Sequence, residues 1–347
     1  MTILCKGYPV ILRTVRSPAG SAGVERTEVF PMSTETRKKL RTVDIACYST
    51  VIQTFLERLQ YRNLKDKTRQ NYVSCLKIFF AWCVVFLASK SADLLDYDDY
   101  RLFLGFLDME KLEPRTINVY IATLKQFRYY IQQKSWSRYE ITFRKYDRTL
   151  PCVPSIEQAS KILAACNTML EAALVKLLFS TGVRISEACA LTFGDIHRDK
   201  KQIYISPSKG RSDRYVPLDD SALLALEEYC RERYNLCRKS GFPLPDKSCP
   251  VFCFKDGIKS ANANFLRRIF KDVVKRAGLS SFHFTPHSCR HYFALQIYLQ
   301  KKNLMLVKEL LGHRTLNATE VYLRLAAPTV FQDEGYTNPL TLCEKAG

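Results

Sequence analysis

The chain has 347 residues, 47% hydrophobic and 25% charged, which is the composition of a globular protein and the length of two domains. Lysine and arginine exceed aspartate and glutamate by 19, and both halves are basic, so the sequence predicts a polyanionic partner such as nucleic acid. No uncharged apolar run is long enough to span a membrane, and Lys6 and Pro9 interrupt the stretch that a signal peptide would need, so we expect neither a membrane nor a secreted protein but a cytoplasmic one.

The amino-terminal half predicts a loosely ordered extension followed by a helical bundle. Residues 1–45 show no clear periodicity and contain a flexible stretch of serine, alanine and glycine. Residues 46–136 place apolar side chains at helical spacing in four segments with short connections, which indicates a small bundle. The four predicted helices are Ile45–Leu59, Thr68–Phe86, Asp96–Glu110 and Arg115–Gln132.

Basic and polar residues stand at the starts of the second and fourth predicted helices. Taken alone, these residues would form an ordinary solvent-exposed helix face. They are Lys65, Lys67, Arg69, Asn71, Arg115 and Asn118. Residues 137–154, which include Arg144 and Lys145, are basic and punctuated by prolines, so we predict that they form the linker between the two domains.

The second domain is predicted to span residues 155–330, mainly helical with a small antiparallel sheet. Ser155 and Gln158 mark the start of its first helix. The segments Gln202–Ser206 and Asp213–Leu218 read as two strands that flank a basic hairpin. Further helices are predicted at 220–238, 260–277, 286–301, 303–311 and 317–326, and 331–347 form a tail.

Four separated motifs of this domain carry side chains that suit phosphoryl transfer. They are TGVRISE at 181–187, Lys209-Gly210 in the hairpin, HSCR at 287–290, and Gly312-His313 with Tyr322 nine residues after the histidine. A phosphodiester that is attacked by tyrosine develops negative charge, and guanidinium groups bind two phosphate oxygens without losing their own charge. The set therefore predicts a site that needs no metal and no nucleotide cofactor.

Each motif also has a plainer interpretation. Arg184 and Glu187 would form an ordinary ion pair at a helix start, and Lys209 would be a solvated turn residue. His287 and His291 have the i, i+4 spacing of a zinc site, but Ser288 stands where a metalloprotease has glutamate. We therefore predict no metal site there and interpret His291 as a packed structural histidine. The spacing of Cys230, Cys237, Cys249 and Cys253 is not that of a zinc ribbon, and buried thiols are predicted instead.

Together the motifs resemble those of the tyrosine recombinase (phage-integrase-like) family over roughly residues 45–330. The matching segments read TGVRISEACALTFGDI, SKGRSDRYVPL, TPHSCRHYFA and ELLGHRTLNATEVYLRL. The resemblance implies a helical core-binding domain and a catalytic domain that clamp a DNA duplex. It also implies that Tyr322 is the nucleophile, that Lys209 protonates the leaving 5′ oxygen, and that Glu187 supports the site. The implied phosphate ligands are Arg184, Arg290 and His313, and His287 is implied to act in proton transfer or phosphate binding. The implied contacts to the DNA backbone include Arg211 and Arg214. The second and fourth helices are implied to approach the major groove, so their basic and polar starts are predicted to bind DNA, as are Arg144 and Lys145 of the linker.

The resemblance further implies the partners of the protein. They are double-stranded DNA with specific recombination sites and other copies of the chain, four protomers acting on two sites, with the tail of each packed on a neighbour. Accessory DNA-bending proteins are further candidate partners, and the nucleoid is the expected location. A mobile-element enzyme is the favoured role, because the 45-residue extension departs from the shortest resolvase-like members. The alternatives are an Xer-like resolvase of chromosome or plasmid dimers, a type IB topoisomerase and an inert DNA-binding regulator. A metal-dependent nuclease is disfavoured because no acidic cluster has ligand spacing.

Overall fold

The computed structural model describes side chains in residues 39–61, 64, 66–137, 139–147, 149–206, 213–239, 246–254 and 259–326. It describes the backbone alone for 240, 327–330 and three strands near the amino terminus. The chain divides into two compact units, residues 1–148 and 149–347, and this division falls inside the predicted linker. In the described part of the chain, no helix is both long enough and apolar enough to cross a membrane.

Between Ser49 and Tyr130, the described residues of the first unit form four helices close to the predicted ones. Their starts are set locally: Asp96 caps the third helix through the backbone N–H groups of Asp98 and Asp99, and Pro114 occupies the first turn of the fourth. The helices are α1 (Ser49–Gln60), α2 (Asp66–Phe86), α3 (Tyr97–Met109) and α4 (Pro114–Tyr130), with a one-turn 3₁₀ helix at Ala46–Tyr48 before α1.

The core of the first unit is strongly aromatic. Phe79 is the centre of a ring cluster, and its ring packs edge-on against that of Phe103 with centroids 5.0 Å apart. Trp82, Phe80 and Phe127 complete the cluster around it. Such a core explains why four helices with short connections hold together, since each buried ring removes a large apolar area from water.

Three strands precede this bundle, in the segment for which the sequence predicted no regular elements. They are β1 (Thr2–Cys5), β2 (Tyr8–Val15) and β3 (Arg26–Val29), and they form an antiparallel sheet in the order β1-β2-β3. Ile3 pairs with Val10, and Leu12 pairs with Val29. The strand residues favour extended backbone because many of them are β-branched, but the segments are too short to show a clear period in the sequence.

The second unit is mainly helical, as predicted, and its first helix has the capping box expected from Ser155 and Gln158. Helix α10 packs against both α6 and α12, which brings three of the predicted motifs together. The helices are α5 (Ile156–Ala164), α6 (Met169–Thr181), α7 (Ile185–Ala190), α8 (Asp220–Ser240), α9 (Ala263–Arg276), α10 (Pro286–Lys301), α11 (Leu304–Leu311) and α12 (Val321–Val330).

A small antiparallel sheet lies beside these helices, in the order β4-β5-β6. Strands β5 (Gln202–Ile205) and β6 (Arg214–Pro217) are the two predicted from the sequence, and β4 (Ile196–His197) is a two-residue addition. Ile203 pairs with Val216, and both are fully buried. The pairing of Ile205 with Arg214 starts β6 directly after the hairpin and sets the direction of the Arg214 side chain.

Candidate active site

Arg184 is positioned by the sharp end of helix α6. Gly182 ends that helix with a φ of 59°, and a Cβ on this residue would lie only 2.5 Å from the Phe293 side chain, so only glycine fits. Arg184 then occupies the N-cap position, directly before α7. Its backbone N–H donates to Glu187 Oε2 at 2.9 Å, and its Nη1 donates to Glu187 Oε1 at 2.9 Å. The predicted ion pair therefore exists, and it holds the guanidinium of Arg184 at the helix start.

A second arginine, Arg214, binds the same carboxylate. Its Nη2 donates to Glu187 Oε2 at 2.8 Å, and its Nε donates to the carbonyl oxygen of Leu310 at 2.8 Å. Burial alone would raise the pKa of Glu187, but the hydrogen bonds and charge of Arg214, helped by Arg184, lower it to about 2. Glu187 is thus a carboxylate at neutral pH, shared between two guanidinium groups.

The position of Arg214 corrects the role implied for it by the resemblance. We expected a contact to the DNA backbone, yet its side chain is buried against Glu187 and the end of helix α11. The physical reason is the register of β6, which points this residue inward, where the buried carboxylate attracts it. Nothing local in the sequence signals this contact, because 27 residues separate the two partners.

Arg290 is the most buried cation of the site, with 1% of its surface exposed. Its Nη1 donates to the carbonyl oxygen of Gly182 at 2.7 Å, and its Nη2 donates to that of Leu311, which also lies 3.3 Å from Arg184 Nη1. Burial and the charge of Arg184 lower the pKa of Arg290 to about 9, which still leaves it positive at neutral pH. Arg184 and Arg214 thus bind the Glu187 carboxylate, and Arg290 lies within electrostatic range of it. The excess positive charge suits an anionic ligand.

His313 follows helix α11, which ends at Gly312 with a φ of 60°. A Cβ on Gly312 would lie 3.0 Å from Arg214 Nη1, so the glycine allows the guanidinium to approach the end of the helix. The Nδ1 atom of His313 lies 3.0 Å from the hydroxyl oxygen of the buried Thr319. This contact fixes the orientation of the imidazole ring.

Tyr322 lies on helix α12 and is 1% exposed. Its hydroxyl oxygen is 3.0 Å from Nδ1 of His291, a residue that the sequence analysis took for packing alone. Burial raises the pKa of Tyr322 to about 12, although the charges of Arg290 and Arg184 act to lower it. The predicted nucleophile is therefore a neutral hydroxyl next to a histidine. The only sequence signal for this contact was the i, i+4 spacing from His287.

His287 lines a cavity of about 700 Å³ together with Arg184. Burial, followed by the charges of Arg290 and Arg184, lowers the pKa of His287, so it is neutral at neutral pH. Three cations of helix α9 line the same cavity at a spacing of four residues, which places them on one helix face. They are Arg267, Lys271 and Lys275, and the sequence analysis did not single them out.

Several predicted residues lie outside the described part of the chain, namely Lys65, Lys209 and Arg211. Of the others predicted to bind DNA, Lys67, Asn71, Arg115 and Lys145 are exposed, and Asn71 and Arg115 line one open cleft of the first unit.

Three further predicted DNA contacts are engaged within the first unit. Arg69 pairs with Asp66. Asn118 hydrogen-bonds both the backbone N–H and the carbonyl oxygen of Arg144, whose side chain pairs with Asp108 at 2.6 Å. Asn118 therefore anchors the start of the predicted linker.

The cysteines and possible metal ligands complete the inventory of reactive groups. All eleven described cysteines are free thiols, including Cys230, Cys237, Cys249 and Cys253. In the ranges that the structure covers, no three side chains of His, Cys, Asp or Glu gather as metal ligands would.

Comparison with known proteins gives matches along most of the chain. The model of the phage integrase family matches residues 155–328, and the model of the SAM-like amino-terminal domain of phage integrases matches residues 51–138. The tyrosine recombinase XerC of Oceanobacillus iheyensis is 31% identical over 285 residues, which cover 78% of this chain and 90% of that protein.

Two solved structures share the fold at low sequence identity. One is the Tn1549 transposon integrase in complex with transposon right end DNA, with a TM-score of 0.61, 20% identity, and 82% of this chain and 99% of that chain covered. The other is a lambda integrase tetramer bound to a Holliday junction, with a TM-score of 0.59, 18% identity, and 79% and 76% of the two chains covered.

Proposed function

Given that the chain belongs to the phage integrase family, we propose that Tyr322 is the nucleophile with which it cuts DNA. The protein is a tyrosine-type site-specific DNA recombinase. The observation that carries the assignment of Tyr322 is its burial in the same group of side chains as Arg290 and Arg184, whose charges act on its hydroxyl. Of the tyrosines near the motifs, it alone combines this placement with the spacing from His313.

The proposed reaction is a pair of transesterifications. The Tyr322 oxygen attacks the scissile phosphorus and gives up its proton to a neighbouring base, for which the neutral His287 is the candidate. The bond from phosphorus to the 5′ oxygen breaks, and a 3′-phosphotyrosyl link and a free 5′ hydroxyl result. A 5′ hydroxyl of a partner duplex then attacks the link and releases Tyr322. The covalent link conserves the energy of the phosphodiester, so the reaction needs no ATP.

The neighbouring residues have separate roles in this proposal. Arg184 and Arg290 stabilise the charge that develops on the non-bridging oxygens, as preorganised cations do. His287 and His313 donate hydrogen bonds to the phosphate, and Lys209 protonates the departing 5′ oxygen. Glu187 keeps the arginines in place: it is already bound by Arg184 and Arg214 before any DNA arrives.

DNA binding is proposed for the exposed basic residues of both units. In the first unit these are Lys67, Arg115 and Lys145, and Lys65 and Arg211 stay as predictions from the sequence. Four protomers on two sites are proposed by analogy with the family, since the lambda integrase structure is described as a tetramer bound to a Holliday junction. Work on DNA would place the enzyme at the nucleoid of the cytoplasm.

The test is covalent trapping on a DNA duplex that carries the recombination site and a nick close to the cleavage point. The site is first located in sequence that flanks the gene. Wild type is expected to form a protease-sensitive protein–DNA adduct, and Tyr322→Phe is expected to form none. Tyr292→Phe is the matched control, because it removes a hydroxyl nearby and keeps the ring that packs on Phe179. An adduct with Tyr322→Phe would move the nucleophile elsewhere.

Two biological roles use this same chemistry. We favour a mobile-element recombinase, and an Xer-like resolvase is the second candidate because the XerC relative matches over 90% of its own length. Sequencing the genomic fragments that become linked to the enzyme separates the two roles. Sites at the ends of a discrete element support the first role, and a single chromosomal or plasmid site supports the second. Plasmid relaxation without recombined product would instead indicate a type IB topoisomerase.

A further inference from the structure

The contact between His291 and Tyr322 is unexplained by the roles assigned so far. His291 Nδ1 lies 3.0 Å from the Tyr322 hydroxyl oxygen, within hydrogen-bond distance. The His287 and His291 rings are 5.0 Å apart between centroids, and the His291 and Tyr322 rings are 5.8 Å apart. Three rings therefore stand in a row, with His291 between a predicted phosphate ligand and the predicted nucleophile.

The two groups joined by this hydrogen bond are both neutral. Burial, and then the charges of His287 and Arg290, lower the pKa of His291 to about 4, so its imidazole is neutral at neutral pH. Tyr322, with a pKa raised to about 12 by burial, keeps its proton. A neutral imidazole carries its proton on one of its two ring nitrogens, and in the tautomer with the proton on Nε2 the Tyr322 hydroxyl donates and Nδ1 accepts.

The hydrogen bond fixes the rotation of the Tyr322 hydroxyl. When the hydroxyl hydrogen points at Nδ1 of His291, a lone pair of the oxygen is left free for the phosphorus.

We propose that His291 is a positioning residue for the nucleophile, holding the Tyr322 oxygen by a hydrogen bond in the orientation from which it attacks the phosphate. The proposal rests on the proposed function of Tyr322. It assigns His291 a part in strand cleavage beyond that of a packed structural histidine. It also explains why a polar ring stands at this position, facing the Tyr322 hydroxyl.

The test compares two substitutions of His291, one that leaves a hydrogen-bond acceptor for the Tyr322 hydroxyl and one that leaves none. His291→Leu keeps an apolar side chain of similar size and removes the acceptor. His291→Asn places an amide oxygen close to the position of Nδ1. Single-turnover cleavage of the nicked substrate is measured at saturating DNA. His291→Leu is expected to cleave about 100-fold more slowly, which is the effect of a misplaced reacting group. His291→Asn is expected to recover most of the rate, and DNA affinity is expected to stay unchanged in both variants.

A second substrate separates the nucleophile from the leaving group. When sulfur replaces the bridging 5′ oxygen, the leaving group needs no proton, so loss of the general acid in Lys209→Ala is largely rescued. The defect of His291→Leu is expected to persist on this substrate, because it lies on the side of the attacking oxygen. Rescue of His291→Leu by sulfur would overturn the proposal.

Two other results would also overturn it. One is a wild-type cleavage rate in His291→Leu. The other is an equal loss of rate in His291→Leu and His291→Asn, accompanied by equal losses of folding stability, which would mark a purely structural residue. Failure of the proposed function has a different signature, because wild type itself would then form no adduct. Tyr292→Phe is expected to cleave like wild type throughout.

Discussion

The interior of the first unit is made of aromatic rings, whereas the interior of the second encloses the charged groups of the site. Around Phe79 the core of the first unit contains further rings at centroid distances from 5.0 to 6.4 Å. In the second unit, Arg290 and Glu187 are buried among aliphatic residues. Buried ions are costly unless each is paired. The first unit buries the carboxyl groups of Asp99 and Glu110, whereas the second buries Glu187 together with Arg233 and Arg290 and therefore holds more buried charge.

The difference shows where function has shaped the chain. An aromatic core contributes to stability through the area it buries, and it needs no particular partner for each group. In the charged interior of the second unit, Glu187 is bound by Arg184 and Arg214, and this arrangement holds Arg184, a predicted phosphate ligand, in place. The two units should therefore respond differently to the same kind of perturbation.

Creating a cavity in the aromatic core is expected to destabilise the first unit. Phe79→Ala removes a buried ring and is expected to lower the free energy of unfolding of the first unit by about 3–5 kcal/mol. Both tryptophans, Trp82 and Trp136, lie in this unit. Urea unfolding of the full chain, followed by tryptophan fluorescence, is expected to shift to lower urea.

The control for this substitution is Phe143→Ala, since Phe143 is 52% exposed and its loss is expected to change the midpoint little. Far-UV circular dichroism reports helices of both units. A shift of the whole dichroism transition together with the fluorescence would contradict the comparison, because it would mean that the two units unfold as one.

The two units also differ in how accurately the sequence alone predicted their helices and strands. In the first unit, helical spacing located the bounds of all four helices to within four residues, because the apolar period is a local signal. In the second unit, helix α10 has the predicted bounds, but α12 starts at Val321, four residues later than predicted. A 3₁₀ turn at Leu316–Ala318 takes up the intervening residues.

The site itself was predicted only in part. The motifs identified Arg184, Arg290 and Tyr322 by resemblance. The roles of Arg214 and His291 depend on contacts between residues 27 and 31 positions apart, and such contacts exist only in the folded chain. Residue spacing within a helix predicts which side chains share one face of the helix. It does not predict which residues of other elements contact that face.

A second test targets the charged interior. Arg214→Met keeps much of the side-chain volume and removes a partner of the buried Glu187 carboxylate. Removing one member of a buried ion pair leaves an uncompensated charge, so we expect the second unit to lose about 3 kcal/mol of unfolding free energy. The loss is measured by urea unfolding with dichroism detection, and the tryptophan-detected transition is expected to stay in place.

A double-mutant cycle tells loss of charge pairing from loss of packing. When Glu187→Gln is added to Arg214→Met, no buried carboxylate is left unpaired, so the double variant is expected to be less destabilised than the sum of the two single variants. Additive effects would mean that the pair contributes no coupling and that the second unit tolerates its buried charge.

The smallest expected effect is the loss of folding stability of the second unit at acidic pH. All five histidines lie in the second unit. Burial and the charges of His287 and Arg290 lower the pKa of His291 from 6.5 to about 4, and His287 shifts in the same direction. Below pH 6.5 the unfolded chain binds a proton that folded His291 accepts only near pH 4, so stability falls with falling pH. Between pH 7 and pH 5 the linkage at His291 is expected to cost the second unit about 2 kcal/mol.

Glu187 does not contribute in that range, because its pKa of about 2 lies below an ordinary value of 4.5, and its stabilising effect is lost only as the pH falls below that value. Urea unfolding at pH 7 and pH 5 should therefore lower the dichroism-detected stability while the tryptophan transition of the histidine-free first unit stays nearly constant. His291→Asn should remove most of this pH dependence. If the first unit were destabilised equally by acid, carboxylates common to both units would be responsible, and the contrast between an aromatic and a charged interior would not govern the response to pH.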